Sequence, residues 1–206
     1  MIFTLHGWSF DRHVWEGTPF EDGNHMELPG HGESPFKTTN LLKLSEEIGE
    51  IIPEGTTLVG WSLGATISLL VGALYPEKVE RLILIAPTVR FSGVSQPEVV
   101  VERFLKKLKR NFQKTVLEFR NLCSEGNFPI PELNPETATE LLENFSNFDL
   151  SPYLKRVEVP VEIAVGEEDR ITGVEGALSV FKVLKKVRLT VYPKKDHLTA
   201  LYSLSV

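Results

Sequence analysis

The chain has 206 residues, of which 42% are hydrophobic, and its formal net charge at pH 7 is −6. This length fits one domain with room for an insertion, and the apolar content suffices for a packed core. The negative charge disfavours nucleic acid as a partner, and no apolar run reaches the ~20 residues of a membrane-spanning helix. Cys123 is the single cysteine, which excludes an internal disulfide and a cysteine cluster for zinc.

The first elements in chain order are short. Residues 2–5 form a predicted strand that runs directly into the loop at residues 6–8. This start lacks the basic region and long apolar run of a signal peptide, so we expect a cytoplasmic protein. A short helix is predicted through Val14 and Trp15, and a second strand over 25–28 is closed by the turn at 30–34.

A helical period follows over residues 41–52 and ends at Pro53. A strand over 56–59 and a helix over 65–75 flank the glycine-rich stretch between them. The nearly continuous apolar run over 81–86 is typical of a strand that is covered on both faces.

The pattern changes between residues 90 and 150, where we predict one long amphipathic helix near 97–123, a proline-rich bend and another helix near 135–145. We therefore expect a helical lid at 90–150, inserted into an α/β core formed by 1–89 and 151–206.

The alternation of strands and helices returns after the predicted lid. Strands are predicted over 159–165 and 187–192, with a helix over 174–184 between them. Strands that alternate with helices imply a mostly parallel sheet, here of about six strands.

The stretch Gly60-Trp61-Ser62-Leu63-Gly64 has the G-x-S-x-G pattern of a nucleophile elbow. In that motif the serine stands on a sharp turn between a strand and a helix, with a strained backbone. The two glycines remove Cβ atoms that would clash with the turn and the packed helix. Ser62 is therefore the candidate nucleophile.

A serine hydroxyl needs a base to take its proton, usually a histidine that a carboxylate holds in one tautomer. His197 is the single histidine after Ser62 and follows a predicted strand end, where catalytic groups collect. The chain order of serine, acid and histidine makes Asp169 the first choice of acid. Three neighbouring acids stay open as alternatives: Glu167, Glu168 and Asp196.

The tetrahedral intermediate of ester hydrolysis needs two N–H groups for its oxyanion. The candidates are Leu63 N–H, directly after the nucleophile, and Trp8 N–H, in the loop after the first strand. His6 and His31 are predicted to fix loops rather than to catalyse.

These motifs, in register from residue 2 to about 199, resemble the α/β-hydrolase superfamily: His6-Gly7-Trp8, Gly30-His31-Gly32-Glu33-Ser34, Gly60-Trp61-Ser62-Leu63-Gly64, Gly166-x-x-Asp169 and Asp196-His197. The first-loop tryptophan, the elbow and the stretch from 112–116 through 148–150 resemble the BioH-type pimeloyl-[acyl-carrier protein] methyl ester esterases of biotin synthesis.

The resemblance implies an α/β-hydrolase fold with a helical lid. It assigns Ser62, Asp169 and His197 as the catalytic triad and Trp8 and Leu63 as oxyanion donors, with no cofactor and no metal. The chain departs from the family at both ends. It starts at the family's third strand, and it stops nine residues after His197, so we expect a less supported histidine loop.

The predicted lid is basic although the whole chain is acidic. Residues 102–120 hold seven cationic and two acidic side chains, a local charge of +5. Four cations fall at helical spacing on one face: Arg103, Lys107, Arg110 and Lys114. They form either a docking surface for acyl carrier protein or an ordinary solvated face.

The function we favour from the sequence is a monomeric serine carboxylesterase that hydrolyses the methyl ester of pimeloyl-acyl carrier protein. The alternatives are a general short-chain carboxylesterase and a menaquinone-pathway lyase or synthase that uses the same triad. A binding protein without catalysis is disfavoured because the serine, acid and histidine are all present.

Overall fold

A parallel sheet forms the centre of the molecule in the computed structural model, which describes residues 1–126 and 128–205. Its six strands in the described residues are β1 (Ile2–Leu5), β2 (Asn24–Met26), β3 (Thr56–Trp61), β4 (Val79–Ile85), β5 (Val161–Gly166) and β6 (Val187–Tyr192). Their order across the sheet is β2-β1-β3-β4-β5-β6, and every pair is parallel. The prediction of a mostly parallel sheet of about six strands is confirmed.

The central strands are apolar because helices cover both faces of the sheet. Leu58 and Val59 of β3 and Leu82 and Leu84 of β4 are fully buried. The edge strand β6 instead alternates between half-buried and exposed side chains over most of its length. The core therefore lies along β3 and β4, and the carboxyl ends of the strands all point to one edge of the sheet.

The α-helices of the described residues are α1 (Leu41–Ile51), α2 (Leu63–Leu74), α3 (Glu98–Arg110), α4 (Phe112–Cys123), α5 (Pro135–Asn147), α6 (Ser151–Leu154) and α7 (Gly173–Phe181). The turns at Arg12–Trp15 and Thr199–Ser203 are 3₁₀ helices. Neither α6 nor the second of these turns was predicted from the sequence. No described helix is both long and apolar enough to span a bilayer.

The prediction of one long helix near 97–123 is wrong. The helix breaks at Asn111, whose φ of −148° and ψ of 83° are not helical. The Asn111 N–H bonds the Lys107 carbonyl and ends α3, while its side chain accepts from Lys114 N–H (3.3 Å) and begins α4. An asparagine favours such a cap because its short side chain can replace the missing backbone partner. The apolar period of 3.6 residues hid the break.

Residues 90–150 hold α3, α4 and α5 and contribute no strand to the sheet in their described part. Asn127, inside the predicted lid, and Val206, at the end of the predicted core, lie outside the described residues. We call residues 90–150 the helical segment below, and its role as a lid stays a prediction.

Candidate active site

Ser62 occupies the turn between β3 and α2, as the G-x-S-x-G pattern predicts. Its φ of 56° and ψ of −116° lie in a region that residues with side chains rarely adopt, a strain that costs about 1–3 kcal/mol. The Ser62 N–H donates to the Ile85 carbonyl (2.8 Å), and the Ser62 carbonyl accepts from the N–H groups of Ala65 and Thr66. These bonds hold the turn, and 6% of the residue's surface stays exposed.

Two glycines make this turn possible. A Cβ at Gly60 would lie less than 3.0 Å from the Gly64 carbonyl oxygen and from Ser68 Oγ, and a Cβ at Gly64 would lie as close to the carbonyl oxygens of Leu5 and His6. Real Cβ atoms do not approach so closely, so neither position accepts a side chain. The first turn of α2 therefore lies directly against the end of β1.

His197 and Asp169 form a buried pair. His197 Nδ1 lies 2.8 Å from Asp169 Oδ2, and the two side chains are 1% and 0% exposed. Asp169 Oδ1 accepts from the N–H groups of Ile171 (2.8 Å) and Thr172 (3.1 Å). No hydrogen bond joins His197 Nε2 to Ser62 Oγ among the described residues, where Nδ1 makes the bond of the ring to Asp169. Catalytic hydrogen bonds are often long or poorly aligned before a substrate binds.

The surroundings of Asp169 keep its carboxyl group ionised. Burial alone works to raise the pKa of this group. The charge of His197, its hydrogen bond and nearby backbone N–H groups outweigh burial and leave the pKa below the ordinary value of 3.8. A charged Asp169 stabilises the imidazolium that forms when His197 takes a proton. The pair can therefore act as a base that is fixed in one orientation.

The other acids that the sequence analysis left open face elsewhere. Asp196 is bonded within its own loop, with Oδ1 accepting from Thr199 N–H at 2.7 Å. Glu167 and Glu168 are exposed at the surface. Of the four candidates, Asp169 is the one that the structure brings to the histidine ring.

The loop that carries His197 is well supported by other elements. Trp61 Nε1–H donates to the His197 carbonyl (2.9 Å), and Leu198 N–H donates to the Cys123 carbonyl at the end of α4 (3.4 Å). A Cβ at Gly166 would collide with the backbone of this loop, so β5 approaches it closely. We expected a less supported histidine loop, and these contacts show that this expectation is wrong.

Leu63 N–H and Trp8 N–H, the two predicted oxyanion donors, are both unpaired. No described residue accepts a hydrogen bond from either group, and both residues are at most 2% exposed. The close packing of Gly64 on the end of β1 places the two loops side by side. Buried N–H donors without a partner are what an oxyanion hole requires.

The side chain of Trp8 ties its loop to the helical segment. Trp8 Nε1–H donates to the Ala138 carbonyl in α5 (2.8 Å). Its ring meets the edges or faces of three phenylalanines of α3 and α4, with ring centroids 5.1–6.5 Å apart: Phe104, Phe112 and Phe119. The residue that carries one candidate oxyanion donor is thus also part of the core of the helical segment.

His6 and His31 are fully buried and link loops, as predicted. Each ring faces a backbone carbonyl through Nδ1, at 2.8 and 2.9 Å. Each accepts a backbone N–H at Nε2, from Leu28 for His6 (3.1 Å) and from Ser9 for His31 (2.9 Å). Both rings are therefore neutral and protonated at Nδ1. Burial, with the neighbouring His31, lowers the pKa of His6 to about 3, and burial lowers that of His31 to about 4.

The four lid cations that the sequence analysis grouped do not share one helix face. Lys114 belongs to α4, beyond the break at Asn111, and Lys107 forms an ion pair with Glu118 of α4. Arg103 and Arg110 are exposed on α3 and form no ion pair within the described residues. The prediction of one face for all four is wrong, because the helix breaks before Lys114, whereas Arg103, Lys107 and Arg110 keep their helical spacing within α3.

A small apolar cavity of about 90 Å³ lies between the helical segment and the residues that follow Asp169. Its walls include Phe104, Phe119, Leu142 and Ile171, with Arg170 at its side. In the described ranges no group of three or more histidine, cysteine, aspartate or glutamate side chains could hold a metal ion.

The sequence and the fold of the chain both have matches among known proteins. The sequence profile of the alpha/beta hydrolase family matches residues 2–203. A pimeloyl-[acyl-carrier protein] methyl ester esterase from Pseudoalteromonas atlantica is 26% identical over 222 residues, which cover 94% of this chain and 85% of that protein.

Solved structures share the fold. A hydrolase from Oleispira antarctica superposes with a TM-score of 0.86 at 14% identity, over 97% of this chain and 85% of that one. MenH from S. aureus superposes with a TM-score of 0.75 at 20% identity, over 98% of this chain and 87% of that one. The predicted α/β-hydrolase fold is confirmed.

The two buried histidines predict acid lability. In the unfolded chain both rings have the ordinary pKa of 6.5, whereas the folded rings titrate near 3 and 4. Below pH 6.5 the unfolded state therefore binds more protons, and the free energy of unfolding falls as the pH drops from 6.5 toward 4. Each ring contributes a slope of up to about 1.4 kcal/mol per pH unit.

Urea unfolding between pH 7.5 and 4.5 measures this slope, and His31→Gln should flatten it by about one ring's share. The control is His13→Gln. His13 is exposed, and its pKa is raised by a hydrogen bond to Asp11 and by the charge of that residue, so its removal should not flatten the slope. An unchanged slope in His31→Gln would contradict the assignment of a neutral, buried ring.

Proposed function

The chain belongs to the alpha/beta hydrolase family and is a carboxylic ester hydrolase, and we propose that it cleaves the methyl ester of a pimeloyl group carried by acyl carrier protein. The observation that carries a serine mechanism is the buried hydrogen bond between His197 and Asp169, in a chain whose Ser62 stands on a strained strand-to-helix turn. In this proposal Ser62 is the nucleophile, His197 the base and Asp169 the acid of the triad.

The proposed reaction has two halves. His197 Nε2 takes the Ser62 Oγ proton as Oγ attacks the ester carbonyl, and the N–H groups of Trp8 and Leu63 bind the oxyanion that forms. The imidazolium then gives its proton to the departing methoxide, which leaves as methanol. A water molecule, deprotonated by His197, attacks the acyl-serine and releases the free carboxylate and Ser62.

Two features support a carrier-bound substrate. The name of the Pseudoalteromonas atlantica relative gives pimeloyl-[acyl-carrier protein] methyl ester as its substrate. In addition, Arg103, Arg110 and Lys114 are exposed on the helical segment and could attract an acidic partner. In this proposal the helical segment is a lid over the site, the partner is acyl carrier protein, and the enzyme is a cytoplasmic monomer in biotin synthesis.

A general short-chain carboxylesterase is the second candidate. Lys107 pairs with Glu118, and Lys109 pairs with Glu143 at 3.0 Å, so part of the positive charge of the helical segment is already neutralised. That observation weakens the case for a carrier partner and leaves the triad chemistry unchanged. The menaquinone-pathway alternative gains only a shared fold from the MenH structure.

Ser62→Ala should abolish ester hydrolysis and leave the fold intact, because it removes the oxygen that accepts the acyl group. Loss of one triad member typically lowers kcat by several orders of magnitude. Hydrolysis of p-nitrophenyl butyrate measures the rate, and a serine-directed phosphonate should label the natural protein once. Labelling that persists in Ser62→Ala would show that another residue is the nucleophile.

Asp169→Asn should lower kcat by about 10³–10⁴-fold, because the amide holds His197 in the wrong tautomer. Glu168→Gln is the matched control, since it makes the same chemical change one residue away on an exposed side chain. Its kcat should stay within about twofold of the natural value, because an exposed carboxylate contributes little. A larger loss of kcat in Glu168→Gln than in Asp169→Asn would show that Glu168, and not Asp169, is the acid of the triad.

Charge reversal tests whether the exposed cations of the helical segment bind acyl carrier protein. The triple change Arg103→Glu, Arg110→Glu and Lys114→Glu should raise KM for pimeloyl-acyl carrier protein methyl ester by about tenfold or more, with a weaker salt dependence. Hydrolysis of p-nitrophenyl butyrate should change little. The control reverses three exposed cations near β6: Lys185, Lys186 and Arg188. Equal KM values for both triple variants would favour the general carboxylesterase.

A further inference from the structure

Arg120 of α4 is a buried cation whose partners are neutral. The residue is 7% exposed. Its Nη1 donates to the Ser9 carbonyl, and its Nη2 donates to the carbonyls of Phe128 (3.0 Å) and Pro129 (2.9 Å). The guanidinium lies over the Phe10 ring, 3.8 Å from the ring centroid.

No carboxylate forms an ion pair with Arg120 within the described ranges. Removing a charge from water without an opposite charge is costly, and the carbonyl dipoles and the ring face return only part of that cost. In the sequence, Arg120 is one of the basic residues of a predicted amphipathic helix. The structure instead places its head group at the junction of α4 with the loop that follows β1.

The residue that Arg120 contacts in that loop is strained. Ser9 has a φ of 67°, in the left-handed region that residues other than glycine rarely adopt. Its own hydroxyl is buried and has no hydrogen-bond partner in the described part of the chain, so it does not hold the conformation. The bond from Phe10 N–H to the Gly7 carbonyl closes the turn (3.3 Å), and two side chains hold Ser9 itself. His31 Nε2 accepts from Ser9 N–H at 2.9 Å, and Arg120 donates to the Ser9 carbonyl.

We propose that Arg120 is a positioning residue for the oxyanion hole, which acts by holding Ser9 and through it the neighbouring Trp8 N–H. This inference rests on the proposed function, because it takes Trp8 N–H as an oxyanion donor. To stabilise the developing oxyanion, the N–H group must point at it and must lie within a few tenths of an ångström (~0.5 Å) of its productive position. Ser9 is strained and directly follows the donor residue. Without the hydrogen bond from Arg120, Ser9 would relax and turn the Trp8 N–H away.

Arg120 also couples the proposed oxyanion hole to the helical segment. Trp8 is bonded to α5 through Ala138, and Ser9 is bonded to α4 through Arg120. Two consecutive residues of one loop are thus held by two different helices of residues 90–150. The geometry of the oxyanion donor therefore depends on the position of the helical segment.

Arg120→Met and Arg120→Lys test the proposal with p-nitrophenyl butyrate, a substrate that needs no carrier. The methionine has similar length and no hydrogen-bond donor, and the lysine retains the charge and a donor. In Arg120→Met, kcat should fall about 10–100-fold with KM within about twofold, because the loss is confined to the transition state. Arg120→Lys should retain more of kcat. The control, Lys109→Met, removes an exposed lid cation and should leave kcat and KM unchanged.

Two further measurements separate positioning from a merely structural role. Ser62 Oγ adds to the carbonyl carbon of a trifluoromethyl ketone of matched chain length, which forms a tetrahedral oxyanion. Its inhibition constant should rise in Arg120→Met by the same factor by which kcat/KM falls. The double variant Arg120→Met with Ser9→Gly should have a kcat at least threefold higher than that of Arg120→Met alone. Glycine adopts a positive φ without the hydrogen bond from Arg120.

The proposal is overturned if Arg120→Met raises KM and leaves kcat intact, if the inhibition constant does not move, or if Ser9→Gly restores nothing. Should Arg120→Met fail to fold, Arg120→Lys carries the same three measurements with smaller expected changes. Failure of the proposed function is visible separately, since it would leave Ser62→Ala active or the carrier ester uncleaved. Neither result depends on Arg120.

Discussion

The site depends on one close backbone contact, where the first turn of α2 lies against the end of β1. Gly64 allows it, because a Cβ there would meet the carbonyl oxygens of Leu5 and His6. The contact brings the N–H after Ser62 next to the loop that carries Trp8. A larger residue at this position would separate the nucleophile from one of its candidate oxyanion donors. The strain of Ser62 persists because its surroundings leave the turn no other arrangement.

Much of the fold and the candidate triad could be predicted from the sequence because their signals are local. Strands and helices of the core follow from apolar runs and periods, and the elbow is encoded in five consecutive residues. The chain order made Asp169 the first choice of acid, but its three neighbours stayed open because all four follow strand ends. Only Asp169 is bonded to backbone N–H groups of its own loop and to the histidine together.

The main misreadings lie in the helical segment, where periodicity was the main guide. Asn111 interrupts a helix that the apolar pattern runs through, because a cap satisfies backbone groups without altering that pattern. Arg120 had a usable signal. It falls on the buried face of α4 together with Val116, Phe119 and Cys123, and a cation in an apolar stripe calls for partners. Which partners it has depends on a loop more than one hundred residues away in the chain.

The indole groups offer a readout that arises from the same contacts. Trp61 Nε1 is bonded to the backbone of His197, and Trp8 Nε1 is bonded to α5, whereas Trp15 Nε1 is buried without a partner among the described residues. Indole emission shifts when its N–H loses a partner or meets water. Intrinsic fluorescence of this chain thus carries separate signals from the histidine loop and from the helical segment, so single-tryptophan variants could follow the two regions independently, with no added dye.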